Sequence, residues 1–411
     1  MKMLTCRFCN APLEHVFVDL GMSPLSNAYL SADQLLQMEP FYPLKVFVCA
    51  KCFLVQLPEF ASPQDIFSDY AYFSSVSESW LRHCESYARR VTGKYGLDAD
   101  SLVVEVASND GYLLQFFKQQ GVPVLGIEPA ANVARAAQAA GIPTVVRFFG
   151  TQAAKELSAE GRKADLLIGN NVLAHVPDLN DFVEGLRGLL KPDGVITMEF
   201  PHLARLMSEK QFDTIYHEHF SYFSFTTVTR VFEAHGLTVF DVEELPTHGG
   251  SLRIHARHAK CARWPVSAAV RALLDREAAD GFTRLEHYLG FEAQVVEVKH
   301  SLLGFLIEAR RAGKKVVGYG AAAKGNTLLN YCGVRGDFLD FVADLSPHKQ
   351  GRYLPGTHIP IVAPERIREA RPDFVLILPW NIRAEVTAQH AYIRDWGGRF
   401  VVPIPRTEVL P

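Results

Sequence analysis

The middle of this 411-residue chain alternates apolar runs with turns, and that alternation limits its fold more than any other feature. "SLVVEVASNDGYLLQFFKQQG" reads as a buried strand, a turn and a helix, and "VPVLGIEPAANVARAAQAAG" repeats the pattern. "IPTVVRFFG", "ADLLIGNNVLAHV" and "GVITMEFP" supply further strands. Their apolar residues are continuous rather than alternating, as in parallel strands covered on both faces. The pattern predicts a doubly wound α/β sheet whose ligand sits at the carboxyl ends of the strands. A second, smaller α/β unit follows. Its helices lie in "WPVSAAVRALLDREAADG" and "FEAQVVEVKHSLLGFLIEARRAG", its strand–turn–helix in "KKVVGYGAAAKGNTLLNYCG", and more strands in "FLDFVADLS", "DFVLILPW" and "GRFVVPIP".

At roughly 150 residues per domain the length suggests two or three domains. We divide the chain at residues 1–65, 66–258 and 259–411. The first segment holds two Cys-x-x-Cys pairs, Cys6/Cys9 and Cys49/Cys52. Each pair can offer two thiolates to one Zn²⁺, and four thiolates complete a tetrahedral site with no open position, so the metal is expected to be structural. The spacing between the pairs is longer than in a usual zinc ribbon, but a segment with so little core needs a staple. Cys84, Cys261 and Cys332 read as small buried hydrophobes.

Net charge is −3, with cations spread along the chain, which argues against a nucleic-acid partner. The longest apolar runs, such as "FVLIL", are too short to span a membrane, and the N-terminus has no signal-peptide pattern. The expectation is a cytoplasmic protein, with oligomeric state open and a monomer one option.

The turn "EVASNDG" stands where a dinucleotide fingerprint would stand. It places Glu105, Ala107, Asn109 and Gly111 there instead of G-x-G-x-x-G. The next strand ends in "GIEP", so Glu128 can accept hydrogen bonds from a ribose. A ribose acid without a pyrophosphate turn suits S-adenosylmethionine (SAM) better than NAD. Asn170 and Asn171 end the fourth strand at the same edge.

"EVASNDGYLLQFF", "GIEPAANVA", "NNVLAHVPDL" and "YHEHFSYFS" together resemble the SAM-dependent C-methyltransferases of NDP-4-keto-deoxysugars. The resemblance extends over almost the whole chain. It implies a zinc-binding module, a Rossmann-like methyltransferase domain and a C-terminal α/β domain. It also implies methyl transfer from SAM to a carbon beside the C4′ ketone of a nucleotide-linked sugar. Such chemistry needs a base to form an enolate and a donor to stabilise its oxygen. By resemblance His219 is the base and Tyr216 the enolate stabiliser. Glu218 orients a histidine or bonds the sugar, and His175 is a second acid–base or sugar-contacting residue. Were residues 216–219 extended, His217 and His219 would share one face and Glu218 would point away, unless the backbone turns. A His217/His219 metal pair lacks an obvious third ligand.

In "SDYAYFSSVSESW" the resemblance places an active-site tyrosine at Tyr70, with Tyr72 as the alternative. Tyr72, Ser74 and Ser75 are candidates for the substrate. The turn "GYGAAAKGNT" opens a helix, so its amides, Lys324 and Asn326 can meet a diphosphate, with Ser346 and Lys349 of "DLSPHKQGR" reaching the same anion. C3′ is the expected position of methylation and C5′ the alternative. Two other classes remain open on residues alone. One is an NAD-dependent sugar-nucleotide oxidoreductase using the "GYGAAAKG" turn, and the other is a non-catalytic zinc scaffold.

Overall fold

A computed structural model describes residues 4–60 and 74–411. The chain forms two compact units, neither continuous in sequence. The first contains residues 1–13, 49–202 and 220–283, and the second residues 14–48, 203–219 and 284–411. Tyr70 and Tyr72 lie outside the described residues.

Along the chain, β1 (His15–Ser23) and β2 (Tyr42–Val48) pair antiparallel in the second unit. In the first unit β3 (Val55–Gln56) leads to the helix Glu78–Tyr95. Ser77 caps that helix by accepting from the Trp80 amide, and Gly96 ends it in the left-handed conformation at φ 66°. Its Cys84, Tyr87, Ala88, Val91 and Tyr95 recur at helical spacing and are buried.

Four parallel strands follow: β4 (Val103–Val106), β5 (Val124–Glu128), β6 (Thr144–Val146) and β7 (Ala164–Asn170). They are joined by β8 (Leu190–Pro201). Next, β9 (Ser221–Tyr222) pairs with β3, and β10 (Leu237–Leu245) and β11 (Ser251–His258) extend the sheet antiparallel from β8. The seven-stranded order is β10-β11-β8-β7-β4-β5-β6. Every residue of β4 and β5 is buried, as the unbroken apolar runs predicted. Tyr87, Val91, Leu114, Phe117 and Ile168 share one core cluster there. Each such side chain stabilises the fold by about 1.5–3 kcal/mol. The order reverses between β4 and β7, so the crevice at their carboxyl ends is the place for a ligand.

The helix Ala268–Asp280 belongs to the first unit. Its Glu277, 1% exposed, accepts from the amides of Phe225 and Thr226 (both 2.7 Å), the Thr226 hydroxyl and His202 Nε2 (2.7 Å). It thereby satisfies the first amides of the helix Phe225–Ala234.

The second unit carries β12 (Val316–Tyr319), β13 (Val342–Ala343), β14 (Ile361–Val362), β15 (Phe374–Ile377), β16 (Arg399–Val402) and β17 (Glu408–Val409). Their order is β14-β13-β12-β15-β16-β17, parallel except for β17, with a switch point between β12 and β15. The seven-stranded sheet is doubly wound, as the sequence predicted, and the six-stranded sheet of the smaller α/β unit shares that arrangement.

Candidate active site

Cys6, Cys9, Cys49 and Cys52 converge in the first unit, with all four sulfurs within 4.8 Å of one another. The Cys6–Cys52 and Cys9–Cys49 pairs lie 3.5 Å apart. A tetrahedral ion with bonds of about 2.3 Å requires sulfurs about 3.8 Å apart, so the set fits zinc. Both knuckles close the same way. The carbonyl of the first cysteine accepts from the amide after the second, Asn10 to Cys6 and Phe53 to Cys49, each at 2.9 Å. Asn10 and Phe53 are correspondingly left-handed, at φ 58° and 63°. Among the described residues this is the one group of metal-ligating side chains.

At the first switch point, Glu128 ends β5 buried, and its two oxygens accept from the amides of Asn109 and Ala130, each at 2.9 Å. Each carboxylate oxygen retains a further lone pair for a ribose hydroxyl. Ala107, Asn109 and Asn171 stand in left-handed conformations around this crevice, a concentration of backbone strain expected of a binding edge. Gly111, at φ 80°, could not carry a side chain, because a Cβ would meet Ile142 at 2.8 Å. Asp110 Oδ1, Asn170 Oδ1 and Asn171 Oδ1 are buried acceptors with no hydrogen-bond partner. Unsatisfied acceptors beside a ribose acid fit the donor-rich ammonium and ribose of SAM. Glu105 is fully buried in β4, and burial raises its carboxyl well above the ordinary range.

Ser74 and Ser75, expected at the substrate, lie against this same turn. Their amides donate to Asn109 Oδ1 (3.0 Å) and Asp110 Oδ2 (3.1 Å). His248, which the sequence reading passed over, accepts at Nε2 from Asn171 Nδ2 at 3.2 Å. The only sequence signal for it is a non-glycine beside two glycines in "THGGS". His175 is half-buried after β7 in the same unit.

Tyr216, His217, Glu218 and His219 belong to the second unit. The stretch is not extended. A turn closes where the His219 amide donates to the Tyr216 carbonyl at 2.9 Å, and the two rings meet with centroids 4.1 Å apart and planes tilted by 34°. His219 Nδ1 lies 2.8 Å from the Thr214 carbonyl. A carbonyl only accepts, so Nδ1 carries the proton and Nε2 carries the basic lone pair.

Glu218 is buried and takes a 2.6 Å bond from Asn27 Nδ2. Burial pushes its carboxyl up to about 7, against the pull of that bond. Nothing in the pattern around Asn27 signals this pairing from 191 residues away. His217 is buried with Nε2 3.2 Å from the Pro43 carbonyl and its ring edge-on to Tyr42, which is a structural role. Asp213 at the head of the stretch accepts from Trp380 Nε1 at 2.7 Å. Burial pushes its carboxyl up to about 6, although the Lys324 charge opposes the shift.

Around the second switch point Lys324 lies 4.7 Å over the Trp380 ring and donates to Asn381, while Lys349 donates to the Ala321 carbonyl at 2.8 Å. The structure thus brings Lys349 to the Gly320 turn. Ser346 neighbours it, its amide held by Asp344. Asn326 departs from expectation. It is 1% exposed and donates to the Ser26 carbonyl, so its amide NH₂ braces the fold and is not turned to an anion. Asp344, missed in the sequence, accepts from the Ala321 amide at 2.7 Å. It ends "FVAD" as Glu128 ends "GIE", and both acids hold an amide of the turn after the neighbouring strand.

Three family models match in series: a zinc binding domain over residues 6–67, a methyltransferase domain over 80–242 and a C-methyltransferase C-terminal domain over 246–405. The C-methyltransferase NovU of Streptomyces niveus is 36% identical over 405 residues, covering 98% of this chain and 96% of its own. A ubiquinone biosynthesis O-methyltransferase of Bartonella tribocorum is 25% identical over 34% of this chain and 57% of its own. The solved PH0226 protein of Pyrococcus horikoshii aligns with 48% of this chain and 99% of its own, at 17% identity and a TM-score of 0.38. The full-length match to a C-methyltransferase sets aside both the nicotinamide oxidoreductase and the inert scaffold. By that match and the three models in series, the chain belongs to the C-methyltransferase family and is a SAM-dependent enzyme with a four-cysteine zinc module.

Proposed function

We propose that the acceptor is a nucleotide-linked 4-keto-6-deoxysugar and that the enzyme methylates its C3′ through an enolate. SAM, when bound, supplies the electrophilic methyl group. The observation that carries the reading is the 2.8 Å contact of His219 Nδ1 with the Thr214 carbonyl, which leaves Nε2 as the base. A C–H beside a ketone is acidic enough for a neutral imidazole to take its proton, with the negative charge collecting on the ketone oxygen. Tyr216, its ring against that of His219, is the phenol that donates to that oxygen. Glu218, with its pKa near 7, is a proton-sharing group at the working pH and bonds the sugar. His175 contacts the sugar or shares in the proton transfer, and Tyr70 is the further active-site tyrosine, with Tyr72 as its alternative. Lys349, Lys324 and the Gly320 turn meet the diphosphate, with Ser346 alongside. Work at the carboxyl edge of β4, β5 and β7 falls to Glu128, Asn109, Asn170 and Asn171, which hold the donor.

The test uses SAM labelled with ¹³C in its methyl group and a dTDP- or GDP-linked 4-keto-6-deoxysugar. The expected product carries the label on C3′ by NMR. Label on C5′, on an oxygen or nowhere would contradict the proposal.

A further inference from the structure

Arg7 sits inside the first zinc knuckle, between Cys6 and Cys9, and its side chain leaves the knuckle altogether. Nη1 donates to the Pro177 carbonyl at 2.8 Å and Nη2 to the Leu57 carbonyl at 2.5 Å. The guanidinium stands 5.4 Å from the centre of the Phe220 ring. Its own backbone is fixed too. The Arg7 amide donates to Gln56 Oε1 at 2.9 Å, and its carbonyl accepts from Asn180 Nδ2 at 3.2 Å. Gln56 in turn donates to Cys6 Sγ at 3.2 Å.

These partners are not arbitrary points of the first unit. Pro177 lies two residues after His175, and Phe220 directly follows His219. Phe220 is held on both sides of its backbone. Its amide donates to the Ala174 carbonyl at 2.7 Å, and its carbonyl accepts from Leu57, itself bonded through its own carbonyl to Arg7. The residues flanking both histidines therefore share one bonded network with the metal-binding thiolates.

A contact that only glued two segments together would be met more cheaply by apolar side chains. A guanidinium with its Nε buried and unpartnered carries a desolvation cost. What it offers in return is a rigid planar fork that reaches two carbonyls at once. Four thiolates on one divalent ion leave a net negative charge beside it, which offsets the buried cation.

We propose that Arg7 is a positioning residue for methyl transfer, transmitting the geometry of the zinc knuckle to the segments that carry His175 and follow His219. The proposal rests on the reading of those histidines as catalytic. On it, the zinc module positions the segment that carries His175 and the residue that follows His219, as well as stapling the fold.

The experiment compares wild type with Arg7→Met, Arg7→Lys and Phe220→Leu as full-length, zinc-loaded proteins. Turnover of the ketosugar, SAM affinity by calorimetry, zinc content and thermal midpoint are measured for each. Arg7→Met is expected to lose about a hundredfold in kcat, the scale of an ångström-level displacement of a catalytic group. Its SAM affinity and zinc content should stay within about twofold of wild type, which separates a placement defect from a binding defect. Arg7→Lys should recover little, because one ammonium cannot span both carbonyls. Phe220→Leu, which leaves the knuckle untouched, should lose turnover in the same direction by about tenfold.

Wild-type kcat in Arg7→Met would overturn the proposal. So would loss of zinc or of SAM binding in step with activity, since Arg7 would then be a folding residue. If neither Arg7 variant folds, Phe220→Leu decides, and wild-type kcat there counts against the role. A wild-type enzyme that leaves every ketosugar untouched would instead bring down the functional reading, and this role with it.

Discussion

His219 and Glu218 show how a few ångströms of backbone divide labour among adjacent polar residues. The turn at residues 216–219 brings the Tyr216 and His219 rings together while Glu218 goes to Asn27 and His217 to Pro43. Burial raises the Glu218 carboxyl from its ordinary value to about 7, so the folded protein binds a proton there that the unfolded chain has released. Stability from this group is therefore complete below the ordinary glutamate range and is lost as pH rises through about 7. Glu218→Gln keeps an oxygen for Asn27 and removes the charge. Its thermal midpoint should match wild type at pH 4 and exceed it at pH 8. The gain approaches an upper bound on the order of 3 kcal/mol, at about 1.4 kcal/mol per pH unit. A difference independent of pH would show that Glu218 is not buried with a raised pKa. Asp213, raised by burial to about 6, adds a shift of the same sign.

Among elements, the helix Phe225–Ala234 begins six residues after His219, and its first turn is held from two sides. Ser224 caps it by accepting from the Thr227 amide at 3.1 Å, and Glu277 takes the two amides before that. Burial alone would raise the Glu277 carboxyl, but the bonds from His202 and Thr226 outweigh it and hold it below the ordinary value. Its contribution is then present at neutral pH and lost as pH falls into the acid range. Glu277→Ala strands two helix amides and a buried imidazole. It should lower unfolding free energy by about 3 kcal/mol at pH 7, read from urea denaturation. A loss under about 1 kcal/mol would mean that water replaces the carboxylate there.

Over the whole molecule, what the sequence made legible was whatever lies close together along the chain. Apolar runs such as "LVVEV" and "VLGIE" named the sheet strands, and two Cys-x-x-Cys pairs named the zinc ligands. Glu128 was readable because a strand ending in an acid beside a turn is a local signal. Asp344 carries the same signal and could have been read. Asn27, Arg7 and Glu277 could not, because each acts on residues far along the chain and hydrophobic periodicity says nothing about such docking. For the same reason residues 14–48, which lie between the two cysteine pairs, give no local hint that they join the second unit. Asn326 looked like an anion donor because it follows a glycine-rich turn, and only the fold reveals its bond to Ser26.

Enolisation by His219 is the central step of the proposed reaction, and it can be watched without methyl transfer. The protein is incubated in D₂O with a dTDP- or GDP-linked 4-keto-6-deoxysugar and S-adenosylhomocysteine, and deuterium is followed at C3′ and C5′ by NMR. We predict exchange at C3′ alone, slowed by roughly 10²–10⁴ in His219→Asn while SAM still binds. Exchange that survives intact in His219→Asn, or none in the wild-type enzyme with these sugars, would contradict it.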